Sequence, residues 1–173
     1  AAPGEVTVDN SGGDVVTSGM QFVSDGYVLT GDVLTLSGSQ AVIQVGDSSA
    51  AGADYTATID AELAGGAMLM KTDKGLLILN GNNTYTGGTA INGGVLRVSR
   101  DANLGAASGG LSFSGGALDV TADMTSARTF DFVGSGSILN AANTTLTLTG
   151  ALSGAGRLVK DGAGTLVLAG TGG

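Results

Sequence analysis

The sequence contains no cysteine, histidine or tryptophan and only one proline among its 173 residues. The lack of cysteine excludes disulfides and thiolate chemistry. The lack of histidine removes the usual general base, the Ser-His-Asp triad and the commonest zinc ligand. No run approaches the roughly 18 consecutive apolar residues that a membrane-spanning helix requires. Few routes to catalysis or metal binding therefore remain.

Known catalytic and nucleotide-binding signatures are missing too. The sequence has no P-loop, no dinucleotide-binding fingerprint and no Gly-Gly-x-Gly-x-Asp calcium repeat. No Gly-x-Ser-x-Gly elbow surrounds a serine, so a Ser–Lys dyad with Lys71, Lys74 or Lys160 lacks support. Paired carboxylates are the only enzymatic option left, and we predict a protein without a cofactor, a metal ion or catalytic residues.

Charge and composition limit the possible partners of the protein and indicate that the chain folds. Fifteen acidic residues against seven basic ones give a net charge of −8, which disfavours nucleic acid and anionic lipid as partners. The acidic residues are spread singly along the chain and favour solubility. Hydrophobic residues make up 42% and charged residues 13%, so the chain is not disordered. We expect the chain to fold around a core that contains few large side chains.

A short alternating segment closed by glycine, Leu-x-(Leu/Phe)-x-Gly, recurs along the chain. Alternate residues of a strand point to opposite faces, so each copy sends two large apolar side chains to one side. Most copies start 34 to 43 residues apart, which is nearer two coils of a β-solenoid than one, and the last two start 20 apart, which is about one coil. The copies are Leu34–Gly38, Leu77–Gly81, Leu111–Gly115, Leu146–Gly150 and Leu166–Gly170.

A longer internal match supports a true repeat. Residues 55–84 laid over residues 144–173 give ten identities in thirty, among them Lys71/Lys160 and Gly81/Gly170. The pattern favours a parallel β-helix whose coils stack about 4.8 Å apart. The alternative is an antiparallel β-sandwich, in which Asn80–Gly81 and Asn92–Gly93 close tight hairpins. Helix signals are poor, and residues 99–108 have room for one helical turn at most.

The segment 71–105 combines a lysine, two short strands and an Asn-Thr-Tyr-x-Gly-Gly-Thr turn. The motif residues are Lys71, Gly75, Leu77, Leu79, Gly81, Asn83, Thr84, Tyr85, Gly87, Gly88, Thr89, Ile91, Gly94, Leu96 and Val98. With this motif, the segment closely resembles the autotransporter-associated β-strand repeat, also called the passenger-associated transport repeat. We interpret 71–105 as a full repeat, 150–173 as a truncated second one, and 1–173 as a single β-helix fragment.

The resemblance implies a right-handed parallel β-helix at the surface of a Gram-negative bacterium, attached to the outer membrane or secreted. It implies export through a C-terminal outer-membrane β-barrel, which is a partner outside this chain. Such repeats lie in the stem of the passenger and assist its secretion and folding. The expected function is therefore a surface stalk, within a whole protein that acts as an adhesin or virulence factor on a host surface.

Two alternatives stay open at this stage. The first is a polysaccharide-active β-helix enzyme that uses paired carboxylates. The second is a surface module that associates with a second passenger. The best carboxylate pair is Asp25 and Asp32, with Tyr27 between them, followed by Asp119 and Asp123. We interpret these acids as turn caps that flank strands.

The polar residues of the repeat also invite a structural interpretation. Tyr85 lies between two turns and is expected to pack along a ladder of turns rather than stack on a sugar. Asparagines in solenoid turns usually bond to backbone groups, alone or as a ladder, which is our interpretation of Asn80, Asn82 and Asn83. Lys71 and Lys160 occupy equivalent positions, which favours a structural role for both.

Overall fold

A computed structural model describes residues 4–170 and is almost entirely β. Two short 3-10 helices, Ala51–Asp54 and Asp101–Leu104, interrupt the strands. No helix within residues 4–170 is long and apolar enough to cross a membrane. The strands, numbered along the chain, are β1 (Glu5–Val8), β2 (Val15–Thr17), β3 (Gly19–Phe22), β4 (Tyr27–Gly31), β5 (Leu34–Leu36), β6 (Gln40–Val45), β7 (Thr56–Ile59), β8 (Leu63–Gly65), β9 (Met68–Thr72), β10 (Leu76–Leu79), β11 (Thr89–Ile91), β12 (Val95–Val98), β13 (Leu111–Phe113), β14 (Ala117–Val120), β15 (Met124–Ser126), β16 (Phe130–Phe132), β17 (Gly136–Asn140), β18 (Thr145–Leu148), β19 (Leu152–Ser153), β20 (Leu158–Asp161) and β21 (Thr165–Leu168).

The strands wind into a β-solenoid with three faces, which we number in the order the chain visits them. Face 1 is the sheet β1-β4-β7-β10-β12-β14-β17-β20, and face 3 is β3-β6-β9-β11-β13-β16-β19. Face 2 consists of two separate sheets, β2-β5-β8 and β15-β18-β21. Each face-1 strand opens a new coil, so seven coils are complete and β20 and β21 begin an eighth.

The parallel β-helix predicted from the sequence is confirmed. Every described strand pair is parallel, including the stacked strands on either side of the repeat turn. The antiparallel alternative is therefore wrong. Asn80–Gly81 and Asn92–Gly93 lie at corners of the solenoid and close no hairpin.

The coils of the second half are uniform in length. Leu77 pairs with Leu96, Leu96 with Leu118, and Leu118 with Ile138, which gives 19 to 22 residues per coil. These four inward side chains are fully buried and form one column of the core. Phe113 and Phe132 add a stacked ring pair at 4.9 Å between centroids. The core is thus built from columns of like residues in adjacent coils.

The longer spacings are nearer two coils than one, as predicted. Successive Leu-x-(Leu/Phe)-x-Gly copies begin at the first residue of β5 on face 2, the second residue of β10 on face 1, the first residue of β13 on face 3 and the second residue of β18 on face 2. Each of these steps is one face short of two coils. Only the last two copies stack directly, with Leu146 beside Leu166, as their spacing of 20 predicted. A strand of this pattern can lie on any face, because it needs only to direct its apolar side chains toward the core.

Coils 4 and 5 differ from the others because they have no strand on face 2. Residues 80–88 and 99–110 fill that side with turns and the second 3-10 helix. Tyr85 and Leu104 point inward from these segments and are fully buried, so they occupy the core where strand residues stand in other coils. The path between β10 and β12 also contains β11, whose first residue, Thr89, is the last residue of the predicted Asn-Thr-Tyr-x-Gly-Gly-Thr turn.

Candidate functional site: buried polar groups of the repeat coils

Most of the buried polar side chains gather where face 2 is interrupted. We call this group the polar cluster; it consists of Asn83, Tyr85, Thr89, Asn103 and Arg128, each no more than 4% exposed. Buried polar groups destabilise a fold unless they are hydrogen-bonded. Their partners therefore indicate what the cluster does.

Asn83 and Asn103 form an asparagine ladder across three coils. The Asn83 Oδ1 accepts from Leu63 N at 2.8 Å, and its Nδ2 donates to Asn103 O at 2.6 Å. Asn103 Nδ2 donates in turn to Gly81 O at 2.9 Å, and its Oδ1 accepts from Arg100 N at 3.1 Å. Each amide thus replaces backbone pairing that the missing face-2 strands would supply.

Tyr85 is fully buried and lies two residues after Asn83. Its Oη lies 2.7 Å from Thr89 Oγ1, so the two hydroxyls satisfy each other. Burial raises the pKa of Tyr85 well above its ordinary value, although the hydrogen bond from Thr89 and the charge of Arg128 oppose the shift. This ring is part of the core and offers no surface on which a sugar could stack.

Arg128 ties the segment 99–110 to the following coil. Its side chain is 1% exposed, and Nε bonds to Asp101 Oδ1 at 2.9 Å. The other nitrogens donate to four backbone carbonyls, which are Asp101 O at 3.1 Å, Gly105 O at 2.7 Å, Ala106 O at 2.5 Å and Gly109 O at 2.8 Å. The planar guanidinium suits such a convergent set of acceptors. Arg128 therefore holds a strandless stretch of backbone in one conformation.

Lys71 forms a separate buried polar site at the corner between faces 3 and 1. Its Nζ donates to Thr72 O at 2.8 Å, Asp73 O at 3.0 Å and Gly93 O at 3.2 Å, and the residue is fully buried. Gly93 belongs to the next coil, so the ammonium joins two coils. Burial lowers the pKa of Lys71 to about 8, against the opposing charge of Asp73.

The carboxylate pairs do not form catalytic dyads. Asp25 and Asp32 flank opposite ends of β4, where Asp25 accepts from Thr56 N at 2.8 Å and Asp32 from Asn10 N at 2.9 Å. Tyr27 packs near the Phe22 ring, with centroids 6.2 Å apart. Both acids bind backbone amides of adjacent coils, as turn caps do.

The second pair is divided in the same way. Asp119 bonds to Arg97 Nε at 2.7 Å on the outer side of face 1, and Asp123 accepts from Thr145 N at 2.7 Å. Within residues 4–170, no three His, Cys, Asp or Glu side chains are grouped so that they could hold a metal ion. The described part of the chain brings no acid and base together around a cleft.

The remaining sequence candidates occupy different environments. Asn80 Nδ2 donates to Asp60 Oδ1 at 2.7 Å, while Asn82 is exposed. Lys74 and Lys160 are exposed, in contrast to Lys71. Twelve of the fifteen motif residues are buried, and the others are Thr84, Gly87 and Gly94.

Sequence reasoning missed Arg128 and Asn103. Arg128 stands alone in "TSARTF", outside the repeat, and nothing near it signals burial. Asn103 lies 20 residues after Asn83, which is one coil length. A search for like residues at that spacing could have found it.

Comparisons with known proteins agree with this architecture. Residues 69–98 and 158–173 match the Passenger-associated-transport-repeat family. The chain is 54% identical over 151 residues to the protein named Adhesin BmaC autotransporter of Brucella suis biovar 1 (strain 1330). That alignment covers 87% of this chain but only 4% of the relative, so the chain spans a small part of that protein's length. No solved structure gave a significant match.

The family matches fall on strands and turns of the solenoid. The first match covers β10 to β12 and the segment that carries Asn83 and Tyr85, and the second covers β20 and β21. Both belong to a β-solenoid of stacked parallel coils. The chain is therefore part of an autotransporter passenger that carries passenger-associated transport repeats, and it belongs to the cell surface of a Gram-negative bacterium, either attached to the outer membrane or secreted.

Proposed function

We propose that this segment is a stem of the passenger, which acts as a stalk and assists secretion by folding coil upon coil. The observation that carries the proposal is that the buried cations and amides join neighbouring coils. Arg128 bonds to groups 19 to 27 residues earlier in the chain, and Lys71 to a carbonyl 22 residues later. These bonds form as each coil settles on the one before it.

The solenoid geometry supports folding without an external energy source. Each coil contacts only its neighbours, so folding can propagate from a stable nucleus along the chain. A coil that folds outside the membrane opposes backward movement of the chain through its export channel. The repeat coils suit the nucleus because their polar groups require one backbone path, and an incomplete set leaves buried groups unpaired.

We propose that the whole protein is an adhesin and that its passenger is exported through a C-terminal outer-membrane β-barrel. The relative from Brucella suis is named an adhesin and an autotransporter, and this chain aligns with 4% of it. As part of the same proposal, the adhesin contacts a host surface. We propose no enzymatic role, since the candidate carboxylates in the described residues cap turns and the buried polar groups are bonded to backbone.

The test is the export of the complete passenger with Lys71→Met and Arg128→Met combined. Lys74→Met with Arg97→Met is the matched control, because it removes the same two charges from an exposed lysine and from a half-exposed arginine. Surface passenger is measured by labelling intact cells, and total passenger by immunoblot. We expect a several-fold lower surface fraction for the buried pair and no change for the control. Equal surface fractions in both would refute a role in secretion.

A further inference from the structure

Two corners of the repeat coils contain the dipeptide Asn-Gly. Asn80–Gly81 follows β10 between faces 1 and 2, and Asn92–Gly93 follows β11 between faces 3 and 1. Both asparagines are exposed. An asparagine before glycine readily loses its side-chain amide, because glycine has no Cβ to hinder the attack of its backbone nitrogen on the asparagine Cγ. The sequence gives both dipeptides the same reactivity, so a difference between them has to come from the fold.

The first dipeptide is held on both sides. Asn80 Nδ2 donates to Asp60 Oδ1 at 2.7 Å, and Asn80 O accepts from Arg100 Nη2 at 3.0 Å and from Asn103 Nδ2 at 3.1 Å. Gly81 is buried, and its carbonyl accepts from the same Asn103 amide at 2.9 Å. The Asn80 side chain has to leave Asp60 before its Cγ can meet Gly81 N. Reaction at this corner therefore requires local opening.

The second dipeptide is held by one residue only. Asn92 N donates to Lys71 O at 2.9 Å, and Gly93 O accepts from Lys71 Nζ at 3.2 Å. Within residues 4–170, neither the Asn92 side chain nor Gly93 N has a hydrogen-bond partner. Another glycine follows, Gly94, with φ 61°. The two atoms that would react, Asn92 Cγ and Gly93 N, are thus both free of competing bonds.

We propose that Asn92 is a site of spontaneous deamidation, and that the isoaspartate formed there releases Lys71 from the next coil. Gly93 N gives its proton to water or hydroxide and attacks Asn92 Cγ, the side-chain nitrogen leaves as ammonia, and a cyclic imide forms. Water then opens the ring at either carbonyl. Cleavage of the bond to Cγ gives aspartate, and cleavage of the bond to the backbone carbon gives isoaspartate. One water is consumed and one ammonia is released.

The two products differ in their effect on the corner. Aspartate leaves the backbone path unchanged and adds a charge at an exposed position. Isoaspartate routes the main chain through the side chain, which inserts one carbon between Asn92 N and Gly93 O. Both of these atoms are bonded to Lys71, so the longer path cannot keep both bonds. Lys71 is fully buried, and loss of the Gly93 carbonyl leaves one of its three donors unpaired.

The first test compares the two asparagines in the intact chain, incubated in mildly alkaline buffer with and without concentrated urea. Peptide mapping by mass spectrometry measures aspartate and isoaspartate at each position. In the folded chain we expect reaction at Asn92 to be at least about ten-fold faster than at Asn80, because only Asn80 needs local opening. In urea the two rates should converge. Asn92→Gln is the control, since its longer side chain closes a less favourable ring.

Two outcomes of this comparison overturn the site. Equal rates in the folded chain, or a faster reaction at Asn80, would show that the bonds at the first corner do not protect it. A ten-fold preference for Asn92 that persists in urea would assign the difference to the neighbouring residues and not to the fold. The inference rests on the corner geometry and is independent of the secretory role.

The second test concerns the release of Lys71. The isoaspartate form, separated by chromatography, is compared with Asn92→Asp, which has the same charge on an unaltered backbone. We expect amide exchange in β11 and β12 to rise several-fold in the isoaspartate form and to stay unchanged in Asn92→Asp. In a Lys71→Met chain the isoaspartate effect should shrink, because the bond to Gly93 is already absent. Unchanged exchange in the isoaspartate form, or an equal rise in the Lys71→Met chain, would refute the release.

Discussion

At the scale of single residues, two buried cations have different chemistry. Arg128 bonds to one carboxylate and four carbonyls through a rigid planar group. Lys71 has a compact ammonium with three carbonyl acceptors and a pKa lowered to about 8 by burial. The shape of the guanidinium therefore matters most at Arg128, and the pH matters at Lys71.

Arg128→Lys should destabilise the chain even though the charge is kept. A lysine has three donors and a different shape, so several of the five acceptors become unpaired in a buried site. We expect a loss of about 3 kcal/mol in the free energy of unfolding, measured by urea denaturation. Arg97→Lys is the control, since Arg97 forms a half-exposed ion pair and its replacement should cost roughly 0–1 kcal/mol. Similar losses for both would contradict the importance of the buried network.

The titration of Lys71 predicts a pH dependence of known sign. Its pKa is about 8 in the folded chain and ordinarily 10.5, so the folded chain releases this proton first as the pH rises. The unfolded state then binds more protons, and stability increases with pH from about 8 toward 10.5 by at most about 1.4 kcal/mol per unit. Urea denaturation between pH 7.5 and about 9.5 checks this slope below the ionisation of tyrosine in the unfolded chain. Lys71→Met should remove the slope; the same slope in both proteins would place the titration elsewhere.

One buried asparagine is expected to weaken the fold. Asn140 Oδ1 has no hydrogen-bond partner in residues 4–170, while its Nδ2 donates to Thr165 O at 3.3 Å. Asn140 O accepts from Gly164 N in the second copy of the repeat. In the first copy the carbonyl that accepts from the matching amide, Gly75 N, belongs to Val45, which is buried and has no polar side-chain group. Asn140→Val should therefore raise the free energy of unfolding by roughly 1 kcal/mol. A loss of stability would mean that the amide makes a contact that its hydrogen bonds do not reveal.

At the scale of the element, the same strand-turn-strand structure occurs at two different corners of the solenoid. The same strand, turn and strand occupy one corner at Lys71 and a different one at Lys160. The sequence revealed these strands because alternating leucines and closing glycines mark them in each copy. It did not reveal their faces, because a face depends on the length of every preceding coil, and one coil is enlarged by the insertion around residues 46–54.

The strandless segment 99–110 should depend on its asparagine. Asn103 closes the 3-10 turn through Arg100 N and Ser99 N, and it holds the preceding coil through Gly81 O. We expect Asn103→Ala to raise amide exchange and protease cleavage in residues 99–110 while β14 and β17 stay protected. Asn82→Ala is the control because Asn82 is exposed. Unchanged protection in Asn103→Ala would refute the role of the ladder.

At the scale of the candidate site, sequence reasoning was partly successful. The motif identified Lys71, Asn83 and Tyr85, since these residues recur at fixed places in a known repeat. Arg128 could not be predicted because four of its five acceptors are backbone carbonyls up to 27 residues away, and every residue has a carbonyl whatever its side chain. Contacts of this kind become visible only when the coils are stacked.

At the scale of the whole molecule, charge divides the solenoid. Residues 1–70 contain nine acidic residues and no lysine or arginine, whereas residues 71–173 contain six acidic and seven basic ones. The acids of residues 1–70 therefore repel one another with no lysine or arginine among them. The buried cations, the asparagine ladder and the stacked phenylalanines all lie in coils 3 to 6. Stability should accordingly peak in the middle of the described chain.

We expect the repeat coils to be the most stable part of this solenoid. Native-state hydrogen exchange of the intact chain, read residue by residue, tests it most directly. We predict the slowest exchange in residues 76–132, with faster exchange in the acidic coils at 5–45 and in β20 and β21. Uniform protection along the solenoid, or the slowest exchange in residues 5–45, would contradict the claim.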